Sequence, residues 1–162
     1  MALTATPELW FLPFALIIGG WVAWSDLTTM KIPNKAVLAL LAVFFFVGLM
    51  ALPLDVWAWR WVHFGAAIVV TFLLSSFGVM GAGDAKFLAA SMPFVALPMI
   101  TEYAIVLGIL IAITFPLQRM WRNAGVAKTR FSHWESMSRR EFPMGVALGP
   151  ALPAYLAIVA LA

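Results

Sequence analysis

FGAAIVVTFLLSSFGVMGAGD, residues Phe64 to Asp84, decides how this chain is to be read. From Phe64 to Met80 it carries no charge. A bilayer crossing needs roughly 20 apolar residues, so this run is nearly a full span. At its end come two glycines, Gly81 and Gly83, and then a carboxylate, Asp84. The rest of the chain has the same character. Of its 162 residues 64% are hydrophobic and only 10% are charged, with a mean hydropathy of +1.00. A soluble domain of this size has too little interior to hide that much apolar surface. The composition implies an all-α, polytopic membrane helical bundle, built as a single domain over residues 1–162.

Six apolar runs follow one another: about Leu9–Trp24, Ala36–Leu54, Phe64–Met80, Phe87–Ile100, Tyr103–Leu117 and Met144–Leu161. The fourth and fifth are short, and Pro93 and Pro98 interrupt the fourth. No Lys or Arg precedes Lys31 and Glu8 precedes the first run, unlike a secretory signal. That first run is expected to be a retained transmembrane helix. With six crossings, nine basic residues fall on one face: Lys31, Lys35, Lys86, Arg119, Arg122, Lys128, Arg130, Arg139 and Arg140. Only Arg60 falls on the other. The positive-inside rule makes the nine-residue face cytoplasmic and puts both termini outside. The segment Val56-Trp57-Ala58-Trp59-Arg60-Trp61 then reads as an external interfacial belt. Gln118 to Phe142, the one sizeable polar stretch, reads as a loop or surface helix held to anionic lipid.

Chemistry is confined to few residues. There is no cysteine, so disulfides, thiolate metal sites and a cysteine nucleophile are excluded. Glu8, Asp55, Glu102, Glu135 and Glu141 fall in expected termini or loops. Asp26 follows the first run, and Asp84 opens the fourth. Two spans lie between them, so topology alone puts both on one membrane face. Taken singly, each also reads as a helix cap or a solvated charge. The two glycines before Asp84 permit close backbone approach, and Lys31-Ile32-Pro33-Asn34 after Asp26 fixes where the second span begins. Two carboxylates brought close share a proton, because both cannot ionise easily. Such a pair activates a water and protonates the leaving nitrogen of a peptide bond, with no metal and no cofactor. A two-carboxylate divalent-metal site is the lesser option, since few further ligands are evident and neither His63 nor His133 falls beside the pair. Gly81–Asp84 lacks the third glycine of a dinucleotide fingerprint and the Lys-Ser/Thr of a Walker loop. Nucleic-acid binding is not expected, because the basic residues track membrane orientation.

Asp26, the Lys31-Ile32-Pro33-Asn34 turn, and Gly81-Ala82-Gly83-Asp84-Ala85-Lys86 two spans later together resemble the type IV prepilin peptidases, polytopic aspartyl proteases of the Gly-x-Gly-Asp class. Short members serving tight-adherence (Flp) pili are closest in size. The resemblance covers most of the chain. It implies a bacterial inner-membrane endopeptidase that cuts the short basic leader from prepilin-like precursors at the cytoplasmic membrane edge. It makes Asp26 and Asp84 the catalytic pair and Gly81 and Gly83 the shapers of the active-site turn. Lys86, Pro33 and Asn34 become candidate supports of the site, Lys86 doubling as a cytoplasmic anchor. Pro143-Met144-Gly145 resembles the Pro-x-Gly that opens the last span, and its glycine, like Gly149, is expected to serve helix packing. Long members carry a cysteine-paired cytoplasmic insertion linked to N-methylation. This chain has no such insertion, so proteolysis without methylation is expected. The rival expectation is a non-enzymatic small transporter or assembly component that uses the pair for protons or cations.

Overall fold

The computed structural model describes residues 6–123, 131, 133–138 and 141–162. The described residues form helices and no strand. Helix α1 spans Pro7–Thr29, α2 Asn34–Ala51, α3 Leu54–Ser76, α4 Ala82–Ser91, α5 Ile100–Asn123, the short α6 Glu135–Ser138 and α7 Gly145–Leu161. Two 3₁₀ turns, Met92–Phe94 and Leu97–Met99, join α4 to α5. Four segments are long and apolar enough to cross a membrane: α1, α2, α3 and the stretch Leu97–Asn123. α7 is apolar but shorter. Large apolar side chains point outward, among them Ile17, Phe46, Phe72 and Met120. Such a surface is stable only against lipid, and the protein is a multi-pass, all-α membrane bundle.

The helices depart from the expected runs at particular places. α1 does not stop at Trp24 but continues to Thr29, so Asp26 lies inside its last turn. The fourth run is not one continuous helix. α4 starts at Ala82 and ends at Ser91, about 15 Å of helix at 1.5 Å per residue. Pro93 and Pro98 each sit in the first turn of a 3₁₀ segment, where a missing N–H is harmless. The fifth run is not short either. α5 passes through Pro116 and the polar Gln118, Arg119 and Arg122 before ending at Asn123. Hydropathy falls at Gln118, but Gln, Arg and Met are good helix formers, so the helix outlasts its apolar stretch. Gln118 is buried and donates from Nε2 to the Ser136 carbonyl at 3.4 Å. Lys128, Arg130, Arg139 and Arg140, which belong to the expected basic loop, lie outside the described residues.

The tryptophan segment, expected as an interfacial belt, is helical. It forms the first turns of α3. Residues two apart do not share a helix face, whereas residues four apart do. Trp57 and Trp61 accordingly turn together against Phe44 and Phe45 of α2, while Trp59 stays exposed. Arg60 is buried. Its guanidinium donates to the carbonyls of Pro93 and Phe94 at 3.3 and 3.2 Å, meeting backbone acceptors that the end of α4 leaves free.

The core centres on Phe11, Phe44 and Phe94, whose rings meet at 5.0–6.0 Å between centroids. α1 packs most extensively against α7. A Cβ on Gly19 would overlap the Gly149 carbonyl, and one on Gly149 would overlap the Gly19 carbonyl. The two backbones touch there, as small residues allow in lipid. This crossing carries the start of α7 to the end of α1, and α4 lies against α2, α3 and α7.

Candidate active site

The site is assembled from a helix end, a helix start and the turns beside them. At the end of α1, the backbone carbonyl of Asp26 accepts the N–H of Met30 at 2.9 Å. Met30 takes a left-handed conformation, φ 52° and ψ 36°, which closes the helix and reverses the chain. The Ser25 hydroxyl donates to the Lys31 carbonyl at 2.9 Å and holds the turn. Pro33, extended at φ −66° and ψ 134°, then caps α2, and Asn34 is its first residue. This turn aims Asp26 inward. The residue is 4% exposed, and one carboxylate oxygen, Oδ2, accepts the backbone N–H of Gly145 at 2.6 Å. Gly145 opens α7, where the first N–H groups have no partner within the helix and the helix dipole favours a carboxylate. There is no room for a side chain: a Cβ on Gly145 would stand 2.7 Å from the Asp26 Cβ.

Asp84 is presented differently. Gly78, at φ +74°, turns the chain out of α3, and Gly81 caps α4. Asp84 lies three residues past that cap and accepts the Gly81 backbone N–H. This is the return half of a capping box, the cap residue being a glycine without a side chain to supply the other half. A Cβ on Gly81 would come within 2.7 Å of the Asp84 carboxylate. A Cβ on Gly83 would stand 3.4 Å from the Ile32 Cβ, so α4 rests closely on the turn after α1. Burial pushes the Asp84 carboxyl up, the charge of Asp26 pushes it further, and the Gly81 N–H offsets part of this, leaving it at about 6.

Asp26 and Asp84 face two adjoining depressions and line both. One, about 350 Å³, is completed by Met30, Lys31, Ile32, Asn34, Gly81 and Lys86 among others. The other, about 470 Å³, is bounded by Gly78–Met80 and by Glu141–Met144. Lys86 donates from Nζ to Asn34 Oδ1 at 3.5 Å across the mouth of the first. The structure thus gathers Asp26, Asp84, Gly81, Gly83, Asn34 and Lys86 in one place, while Pro33 acts by setting the start of α2. Met30 and Gly78 escape attention in the sequence, although a turn was expected near each. Gly145 was expected to serve packing alone, and its amide instead binds a carboxylate. His63 and His133 stay away from the pair: His63 faces another cavity, and His133 lies exposed beside Trp134. Among the described residues no three His, Cys, Asp or Glu side chains gather as a metal-binding group.

The model of the type IV leader peptidase family matches residues 10–117. The chain belongs to the type IV leader peptidase family. It is therefore a protease, and its family acts on leader-bearing precursors of the prepilin kind. The matched segment contains both aspartates and all of α1 to α4 beyond the first few residues, but stops before Gly145. No curated protein and no solved structure matches the chain.

Proposed function

We propose that this leader peptidase is a membrane aspartyl endopeptidase that removes the short leader of prepilin-like precursors at the cytoplasmic membrane edge, with Asp26 and Asp84 as its catalytic pair. The observation that carries the proposal is the convergence of two carboxylates from α1 and α4 on one pair of depressions. A pair holding one proton has one neutral and one ionised member, and Asp84, raised to about 6, is the member that keeps its proton. The ionised member takes a proton from a water held between them. The resulting hydroxide attacks the scissile carbonyl, and the neutral member protonates the departing amine. Gly145 and Gly81 orient the two carboxylates through backbone N–H groups. Lys86 and Asn34 border the mouth through which substrate enters. Both termini lie outside, and the pair opens to the cytoplasm at the rim, where an extended substrate segment costs no helix hydrogen bonds in lipid.

Replacing either Asp26→Asn or Asp84→Asn is expected to lower precursor cleavage in membranes by about 10²–10⁴-fold, the usual worth of a general acid or base. Unchanged processing by either variant, with detergent melting curves like the parent's, would sink the assignment.

A further inference from the structure

The bundle is packed unevenly. Of the residues in the apolar stretches of α1 and α2, 33% and 28% are buried, against 11% in α3 and 6% in Leu97–Asn123. α3 and α5 hardly touch each other, because the short α4 lies between them and does not fill the gap. What remains is an apolar depression of about 350 Å³. On α3 it is lined by His63, Ala67, Val70, Thr71 and Leu74, a single stripe at helical spacing. Leu88 of α4 and Met92 of the 3₁₀ turn after it form its floor, and Tyr103, Ala104 and Leu107 of α5 its far wall.

Two further depressions follow it in turn through shared lining residues. A second one, about 320 Å³, adjoins it at Thr71 and runs between Phe72 and Ser75 of α3 and Ala82, Ala85 and Lys86 of α4. Ala82 and Lys86 in turn line the depression that holds Asp26 and Asp84. From His63 to Ser75 the path follows α3 for about 18 Å, at 1.5 Å per residue. Its lining is mostly apolar, with His63, Thr71, Ser75 and Lys86 among the polar side chains before the aspartates. Its walls include Ala66, Ala67 and Ala104, side chains small enough for another helix backbone to approach closely.

We propose that the groove between α3, α4 and α5 is the docking site for the apolar helix of a single-span precursor, and that it delivers the segment flanking that helix to Asp26 and Asp84. This rests on the endopeptidase reading above, which requires a membrane-held substrate to reach the rim from within the bilayer. A lipid acyl chain would fit the apolar part of the groove, but it does not account for the continuation past Thr71 to the carboxylates.

The chain has no cysteine, so single cysteines report contacts without background. The probe is a precursor with a short basic leader and an apolar stretch of about 20 residues carrying one cysteine. It is held uncut by an Asp84→Asn enzyme bearing Val70→Cys, Ala104→Cys or, as control, Ile17→Cys. Ile17, on α1, is 73% exposed and lines neither depression of the groove. Crosslinks at Val70 and Ala104 are expected to exceed those at Ile17 by about tenfold, because helix contacts in lipid are short-range. Equal yields at all three positions, or lipid alone retained in the groove, would overturn the docking site. A second variant, Ala67→Trp in the otherwise intact enzyme, fills the groove. It is expected to raise KM for the full precursor by about tenfold while leaving cleavage of a short peptide without the apolar stretch unchanged. Equal loss on both substrates would also overturn it. Failure of the endopeptidase reading looks different: crosslinks at Val70 and Ala104 would persist while neither substrate is cut by the parent enzyme.

Discussion

Asp26 and Asp84 reach the same depressions by opposite means. Asp26 stands at the end of a long helix, almost fully buried, and is held by the amide of Gly145 from a helix far along the chain. Asp84 stands at the start of a short helix, half-buried, and is held by the amide of Gly81 in its own cap. One carboxylate is positioned by tertiary packing and the other by local turn chemistry. Damage to the first should therefore spread through the bundle, whereas damage to the second should stay at the site.

The largest expected difference lies between the two supporting glycines. Gly145→Val places branched atoms where Asp26 already is, so cleavage should fall by at least about 10²-fold, with the stability loss of an overpacked core, about 1–3 kcal/mol. Thermal unfolding in detergent and precursor cleavage measure the two effects together. Gly81→Ala crowds only the Asp84 carboxylate, an end of a side chain that can turn, so a loss of about tenfold in kcat with an almost unchanged melting point is expected. Equal destabilisation by both substitutions would erase the contrast between the aspartates.

Proton linkage sharpens it further. The folded-state Asp84 carboxyl sits at about 6, above its ordinary 3.8, so the folded protein binds this proton more tightly than the unfolded chain. Its neutral form favours folding below about pH 4, and that advantage is lost as pH rises toward 6. Asp84→Asn should gain melting temperature relative to the parent across this interval and keep a constant lead above it. Cleavage by the parent should fall as pH rises through about 6, by about tenfold per unit beyond, because the pair then lacks its one proton. A rate flat from pH 5 to 8 would contradict the shared-proton mechanism. The smallest effect is expected at Met30, whose left-handed φ suits glycine: Met30→Gly should relieve about 1 kcal/mol of backbone strain there, partly offset by lost side-chain contacts.

How much of this was visible in the sequence depends on the range of each interaction. The carboxylate pair was legible because charges are rare in an apolar chain and each has a diagnostic turn beside it. The break after α4 was legible too, because Pro93 and Pro98 act locally. The length of α5 was not, since Gln118 and Arg119 mark a change in polarity and not the end of a helix. Trp57, Trp59 and Trp61 suggested a belt by alternation, but the 3.6-residue period of α3 separates Trp59 from its neighbours. The burial of Arg60 was not legible because its acceptors, Pro93 and Phe94, lie over thirty residues away. The Gly145 amide is the extreme case: no local pattern links it to Asp26.

That bond spans 119 residues. Both carboxylates emerge early in synthesis, while the amide that orients one of them arrives only with α7. A nascent chain that has inserted α1 to α5 thus carries both reactive groups without the part that aligns them. On the proposed assignment of the pair, proteolytic competence would be a property of the finished bundle.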